Sequence, residues 1–247
     1  MRPRKRFGQH FLHDRAVLKR IIDAIAPARA DAVVEIGPGE GALTRLLLER
    51  LDRLTAIEID RDLAASLAHE FPSEKLAVVV GDVLEFDFSV CAPGVRIVGN
   101  LPYNISTPIL FHLVQQGDRV RDMHFMLQRE VVERMVAQPS TPEYGRLSVS
   151  LQARYAMKRL FNVSPGAFRP PPKVESAVVR LVPLPDVSIP ANFADVVRKA
   201  FSARRKTLRN ALGLSADEFK TLGIDPGLRP ENLSPGDYLR ITRVCAL

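Results

Sequence analysis

The chain of 247 residues carries a formal charge of +7 and is 46% hydrophobic, enough for one large α/β domain with a small appendage around a genuine core. No apolar run approaches the length that spans a bilayer, and the basic stretch Met1-Arg2-Pro3-Arg4-Lys5-Arg6 runs into Phe7-Gly8-Gln9-His10 without the apolar core of a signal peptide, so a soluble, cytoplasmic protein is expected. The two cysteines, Cys91 and Cys245, and the five histidines show no metal-ligand spacing, so neither a disulfide framework nor a bound metal is expected.

Asp14 is placed to cap a helix running to about Ala26, with Val17, Leu18, Ile21, Ile22 and Ile25 at helical spacing. The period then changes. Ala32-Val33-Val34-Glu35-Ile36 reads as a short buried strand, broken by Gly37-Pro38-Gly39-Glu40-Gly41 before a helix through Leu51. Further strands are predicted over 54–58, 76–80, 95–99 and 123–127, with helices beginning near Asp60, Ser106 and Glu130. This alternation predicts an α/β fold with a Rossmann-like, doubly wound and mostly parallel sheet. Right-handed crossovers put the carboxyl ends of its strands, at Gly37, Glu58, Asp82 and Asn100, along one rim.

Beyond Tyr144-Gly145-Arg146 a helical segment reaches about Tyr155, and residues 157–163 and 177–182 read as two more strands. They flank Phe168-Arg169-Pro170-Pro171-Pro172-Lys173, whose proline triplet predicts a stiff polyproline-like loop. After Pro183-Leu184-Pro185 the alternation stops and only short helices follow. The reading is therefore one α/β domain over residues 1–186 and a small α-helical domain over 187–247.

The rim carries the chemistry. The glycine loop at Gly37 and Gly39 lets backbone approach a ligand, and alone it would serve a dinucleotide or S-adenosylmethionine equally. Glu40 separates these: an anion at the start of the next helix opposes a pyrophosphate but not a ligand without phosphate. Glu58, about twenty residues beyond the glycines, stands where a carboxylate accepts from both ribose hydroxyls, and a helix-capping role suits Asp60 better. Asp82 follows in series and is positioned to accept from an adenine amine.

Asn100-Leu101-Pro102-Tyr103 completes the rim. An adenine amine is a poor nucleophile because its lone pair is delocalised into the ring. Two acceptors, the Asn100 side-chain carbonyl and the Leu101 backbone carbonyl, would hold its two hydrogens and favour a pyramidal nitrogen aimed at a methyl donor. Pro102 would fix the second carbonyl and Tyr103 would stack on the base. Orientation and hydrogen-bond polarisation then carry the catalysis.

These residues, together with Arg6-Phe7-Gly8-Gln9-His10-Phe11-Leu12, Glu35-Ile36-Gly37-Pro38-Gly39-Glu40-Gly41, Phe168 through Ser176 and Phe201 through Asn210, resemble the small-subunit ribosomal RNA adenine dimethyltransferases from end to end. The resemblance implies a seven-stranded methyltransferase sheet with S-adenosylmethionine as cofactor and S-adenosylhomocysteine as product. The implied reaction places two methyl groups on each of two adjacent adenosines near the 3′ end of 16S rRNA in an immature small subunit. It assigns the cofactor pocket to His10, Leu12, Gly37, Gly39, Glu58, Asp82 and Asn100. His10 departs from the asparagine of many members, and would hold the methionine carboxylate with some sensitivity to pH. Phe168 is implied as a second aromatic face opposite Tyr103.

Charge concentrates at the two ends: residues 1–30 carry eight Lys/Arg against two Asp, and residues 190–247 carry ten against six acids. Arg4, Lys5 and Arg6, with Arg204, Arg205, Lys206 and Arg209, are the candidate RNA contacts, the last cluster expected on a helix with Arg205 and Arg209 sharing a face. A monomer is expected. The competing readings are a large-subunit rRNA adenine methyltransferase of the antibiotic-resistance type, a non-catalytic RNA-binding assembly factor on the same fold and, more remotely, a nicotinamide dehydrogenase.

Overall fold

The computed structural model describes residues 9–116 and 119–244; Arg4, Lys5, Arg6 and Cys245 lie outside them. A two-residue strand β1 (Phe11–Leu12) precedes α1 (Arg15–Ile25). The helix begins where Asp14 Oδ1 accepts from the amides of Ala16 and Val17 at 2.8 and 3.1 Å, and its C-cap is Ala26. Strand β2 (Val33–Ile36), α2 (Ala42–Leu48), β3 (Leu54–Glu58), α3 (Arg61–Glu70) and β4 (Leu76–Val80) follow, then β5 (Val95–Asn100), α4 (Ser106–Val114) and β6 (Val120–Gln128). Asp60 caps α3 by accepting from Asp62 N. Strands β2 and β5 are buried along nearly all their length, which is why they read as mostly apolar runs, interrupted by Glu35 and Arg96, rather than as alternating ones.

The seven-stranded sheet has the order β4-β3-β2-β5-β6-β9-β7, with β7 at Tyr155–Val163 and β9 at Ser176–Pro183. All pairings from β4 to β6 are parallel, and β9 joins β6 antiparallel. The chain lays β3 and β4 on one side of β2, then returns to place β5 on the other. The strand order therefore reverses between β2 and β5, and their loops diverge to open a crevice at that point. Backbone fit there depends on Gly99, which pairs with Ile36: a Cβ on Gly99 would stand 2.5 Å from the Ile36 carbonyl oxygen.

One face of the sheet is closed by α1, whose Leu18, Ile21 and Ile22 join Val98, Met126 and Val178 in the core. At the opposite end from the rim, Arg96 donates to both oxygens of Asp122 at 2.9 Å and to Asp31 at 2.8 Å, so the buried guanidinium is matched by two carboxylates.

Three expectations change. Phe11–Leu12 and β8 (Phe168–Arg169) pair antiparallel, although the proline-rich stretch reads as loop. Strands this short have no periodicity to detect. The chain divides into two units, one holding the described residues through Val132 with Met157–Pro183, the other Glu133–Ala156 with Leu184–Leu247. A cut at 186/187 thus misses residues 133–156. Helix α6 (Arg146–Gln152), after α5 (Arg129–Val136), contributes Val149 to the same core as Val196, Leu208 and Tyr238, because its apolar stripe finds its cover there rather than on the sheet. The remaining helices of that second unit are α7 (Phe193–Ser202), α8 (Leu208–Leu212), α9 (Ala216–Leu222) and α10 (Pro235–Val244). Finally, Arg204, Arg205 and Lys206 occupy the turn between α7 and α8, and only Arg209 is helical. Arg205 and Arg209 therefore do not share a helix face.

Candidate active site

The crevice at the strand reversal is a cleft holding about 970 Å³ of empty space open to solvent. Its walls are the segment before α1, the glycine loop, the end of β3 and the Asn100 turn; its floor is Glu35, His124, Met126 and Val178 from the sheet with Leu18 and Ile21 from α1. His10, Leu12, Gly37, Gly39, Glu58, Asn100, Leu101, Pro102 and Tyr103 all line it, so the topology brings most of the expected site together.

The glycine loop is shaped for close approach. Gly39 has φ of 59°, and a Cβ there would lie 3.1 Å from the Phe11 ring, so glycine is needed both for the turn and for the aromatic that covers it. Its amide donates to Glu58 Oε2 at 3.1 Å, while Asp60 N donates to Glu58 Oε1 at 2.9 Å. Burial raises the Glu58 carboxyl above the ordinary range, and these amide bonds work against that. Each oxygen keeps a lone pair, the capacity to accept from two further hydroxyls. Glu40 lines the cleft just before α2, keeping negative charge where a pyrophosphate would need none.

Asn100 is locked in one orientation. Its Nδ2 donates to the His10 carbonyl at 3.0 Å, and since a carbonyl only accepts, Oδ1 is left as the acceptor. In the turn that follows, Pro102 O accepts from Ile105 N and Tyr103 O from Ser106 Oγ; the Leu101 carbonyl accepts none of these bonds. Tyr103 is held at both ends. Its hydroxyl is 2.6 Å from Ser176 Oγ, and its ring lies against His10 with centroids 5.4 Å apart and planes at 28°. Burial raises the Tyr103 phenol, with the Ser176 bond opposing the shift. His10 Nδ1 is 2.8 Å from the Pro170 carbonyl, so the proton sits on Nδ1 and Nε2 of a neutral ring is an acceptor.

Two expected residues stand elsewhere. Phe168 is 2% exposed in the core with Leu12, Ala167 and Val178 and does not line the cleft. Its pairing with Leu12 through β1 and β8 turns the ring inward, so Phe168 does not present a stacking face in the cleft. Asp82 is outside the cleft lining as well, with Oδ1 accepting from Leu84 N at 2.9 Å.

The site also holds groups that pattern reading passes over. Glu35, fully buried, accepts from Thr44 Oγ1 at 2.7 Å. Its carboxyl is pushed up to about 7 by burial, the Thr44 bond pulling it back and the charge of Glu58 adding to the rise. A lone carboxylate inside an apolar strand is the signal that marks it. Ile59, 42% exposed, offers an apolar surface in the cleft. Ser176 and His124 carry no sequence signal for their roles, since both depend on which strand lies beside which.

The sequence profile of the family described as ribosomal RNA adenine dimethylase matches residues 1–247. The chain belongs to the ribosomal RNA adenine dimethylase family. It is 57% identical over 250 residues to the ribosomal RNA small subunit methyltransferase A of Thiobacillus denitrificans, covering 99% of this chain and 98% of that one. Among solved structures it resembles a dimethyladenosine transferase from Plasmodium falciparum, with TM-score 0.83 and 26% identity over 94% and 96% of the two chains. It also resembles the 23S rRNA methyltransferase ErmE, with TM-score 0.70 and 27% identity over 94% and 98%. Within this family of S-adenosylmethionine-dependent rRNA methyltransferases, the fold described above is the expected one.

Proposed function

We propose that this adenine dimethylase acts on small-subunit ribosomal RNA, placing two methyl groups on the exocyclic amine of each of two adjacent adenosines near the 3′ end of 16S rRNA in an immature subunit. The observation that carries this reading is the fixed orientation of Asn100, whose Nδ2 is spent on His10 O so that Oδ1 and the Leu101 carbonyl form a paired acceptor at the rim.

The cleft fits S-adenosylmethionine: the glycine cradle admits backbone contact, Glu58 has spare acceptor capacity, and Ile59 offers an apolar face. When bound, that cofactor supplies a methyl group activated by a positively charged sulfur. The chain does the rest. Glu58 accepts from the ribose hydroxyls, Gly37 and Leu12 line the methionyl end, and Asp82, just beyond the lining, is the acceptor for the adenine amine on the oxygen not engaged by Leu84. His10, its Nδ1 committed to the Pro170 carbonyl, contacts the methionine carboxylate, and His10→Ala weakens cofactor binding in titration calorimetry; unchanged affinity would remove His10 from the pocket.

The target adenosine is extruded from its stack and lies on Tyr103, which Ser176 holds in place. Asn100 Oδ1 and Leu101 O then take its two amine hydrogens, concentrating the lone pair on the nitrogen and aiming it at the methyl group. Arg205, Lys206 and Arg209 are exposed, with no side-chain partner among the described residues, and contact RNA phosphates. The protein acts as a cytoplasmic monomer.

The deciding experiment supplies labelled S-adenosylmethionine with naked rRNA, or with immature small subunits from cells lacking the modification, and maps the methylated bases. Label on the paired adenosines of 16S rRNA is the expected result. No transfer to any substrate sinks the enzyme reading, and methylation confined to 23S rRNA selects the large-subunit alternative.

A further inference from the structure

The floor of the cleft holds a titratable group that positioning of the amine does not use. His124 stands on β6 beside Val98 of β5 and Arg180 of β9. Its side chain is 1% exposed and lines the cleft, yet neither ring nitrogen makes a hydrogen bond. A buried imidazole whose Nε2 has no partner, and whose Nδ1 meets only the Asp122 carboxylate at 3.6 Å, costs free energy that an apolar side chain of the same volume would not. Such a group makes sense where its partner arrives with the substrate.

The surroundings decide which nitrogen meets that partner. Asp122, two residues back on β6, places Oδ1 3.6 Å from His124 Nδ1, and Arg96 holds both Asp122 oxygens. Burial raises the Asp122 carboxyl, but His124 and Arg96 outweigh it and bring the group down to about 2. An ionised carboxylate only accepts, so it draws the ring proton to Nδ1 and leaves Nε2 with a free lone pair. The other charged groups around the ring leave that assignment intact. Arg180 on β9 reaches Asp122 at 3.7 Å, Glu35 lies in the same row of the sheet beyond Val98 and is bonded to Thr44, and α1 brings only Leu18 and Ile21 to the cleft.

Resting on the methyl transfer proposed above, we propose that His124 is the proton acceptor of the reaction. As the amine nitrogen bonds to the methyl carbon, the carbon–sulfur bond breaks and sulfur keeps the electron pair. The nitrogen is left with one proton too many. That proton passes, as the new bond forms, through a water in the cleft to His124 Nε2, and the Asp122 carboxylate stabilises the imidazolium. It returns to solvent when the products leave.

The test is single-turnover methyl transfer to immature small subunits from about pH 5.5 to 9. Wild-type protein should slow on the acid side as His124 protonates, and His124→Asn should be slower by about 10²-fold with that limb gone, while affinities for S-adenosylhomocysteine and RNA stay unchanged. The His124 ring-proton resonance of the wild-type protein should titrate with the same midpoint as the limb. A His124→Asn variant with wild-type rate and limb overturns the proposal. So does a wild-type resonance that does not titrate across the limb, a result that needs no variant to fold. Wild-type protein that transfers no methyl group at all brings down the methyltransferase reading itself, and this proposal with it.

Discussion

The cleft and the basic turn between α7 and α8 are built by opposite means. In the cleft almost every polar group has a partner: Asn100 is spent on His10, Tyr103 on Ser176, and Glu58 on Gly39 and Asp60. In the basic turn Arg204 alone is tied down, through Pro142 O and Glu231, and Arg205, Lys206 and Arg209 face solvent. A reacting centre needs atoms held to fractions of an ångström before the substrate arrives. Phosphate binding needs only positive charge within reach, because its free energy comes from released counterions. Changes in the first region should therefore act on rate or geometry, and changes in the second on affinity and its salt dependence.

The largest effect should come from Asn100→Ala. Removing one preorganised group at the reacting amine should lower single-turnover methyl transfer by about 10²–10³-fold with RNA affinity nearly unchanged; an equal loss of both would erase the contrast between the regions. Next is the pH response of Glu35. Its folded carboxyl at about 7 lies above the unfolded value of 4.5, so its contribution to stability is fully present below the unfolded value and is lost as pH rises through 7. The difference amounts to about 3 kcal/mol. Glu35→Gln should gain on the wild type by that order between acid and mildly alkaline pH in denaturant titrations of the free protein, and parallel curves would place the charge elsewhere.

Glu58→Gln should be smaller. A hydrogen bond to a charged acceptor contributes about 1.5–3 kcal/mol, so calorimetry should show cofactor affinity falling by about one to two orders of magnitude while RNA affinity holds. The smallest effect per residue belongs to the basic turn. Replacing Arg205, Lys206 and Arg209 together by alanine should flatten the dependence of log affinity on log salt by about 2–3 units and leave the rate at saturating RNA intact. An unchanged slope would remove the turn from the RNA contact surface.

Much of this was legible along the chain. The strands at 33–36, 54–58, 76–80 and 95–100 stand where the apolar runs predicted, and the glycine loop, Glu58 and Asn100 all reached the cleft, because each sits at the carboxyl end of a parallel strand and that rule needs no coordinates. Phe168 shows the limit. The family resemblance implied a stacking surface there, but pairing of β8 with β1 buries the ring, and a two-residue pairing of Phe11 with Arg169 and Leu12 with Phe168 leaves no trace in local periodicity. The basic cluster failed as a helix for a related reason: α7 ends at Ser202, and composition cannot say where the turn falls.

The amino-acid sequence by itself determined the fold class, the rim and the residue types that its chemistry needs, since hydrophobic period and strand-end position are local properties. Only the tertiary structure decided which way the Asn100 amide faces, that Ser176 holds Tyr103, that residues 133–156 pack with the carboxyl-terminal helices, and that His124 stands beside Asp122 with its Nε2 unpaired. Each of these depends on contacts between segments far apart in the chain, where hydrogen-bond direction and burial are set by neighbours that no local pattern names.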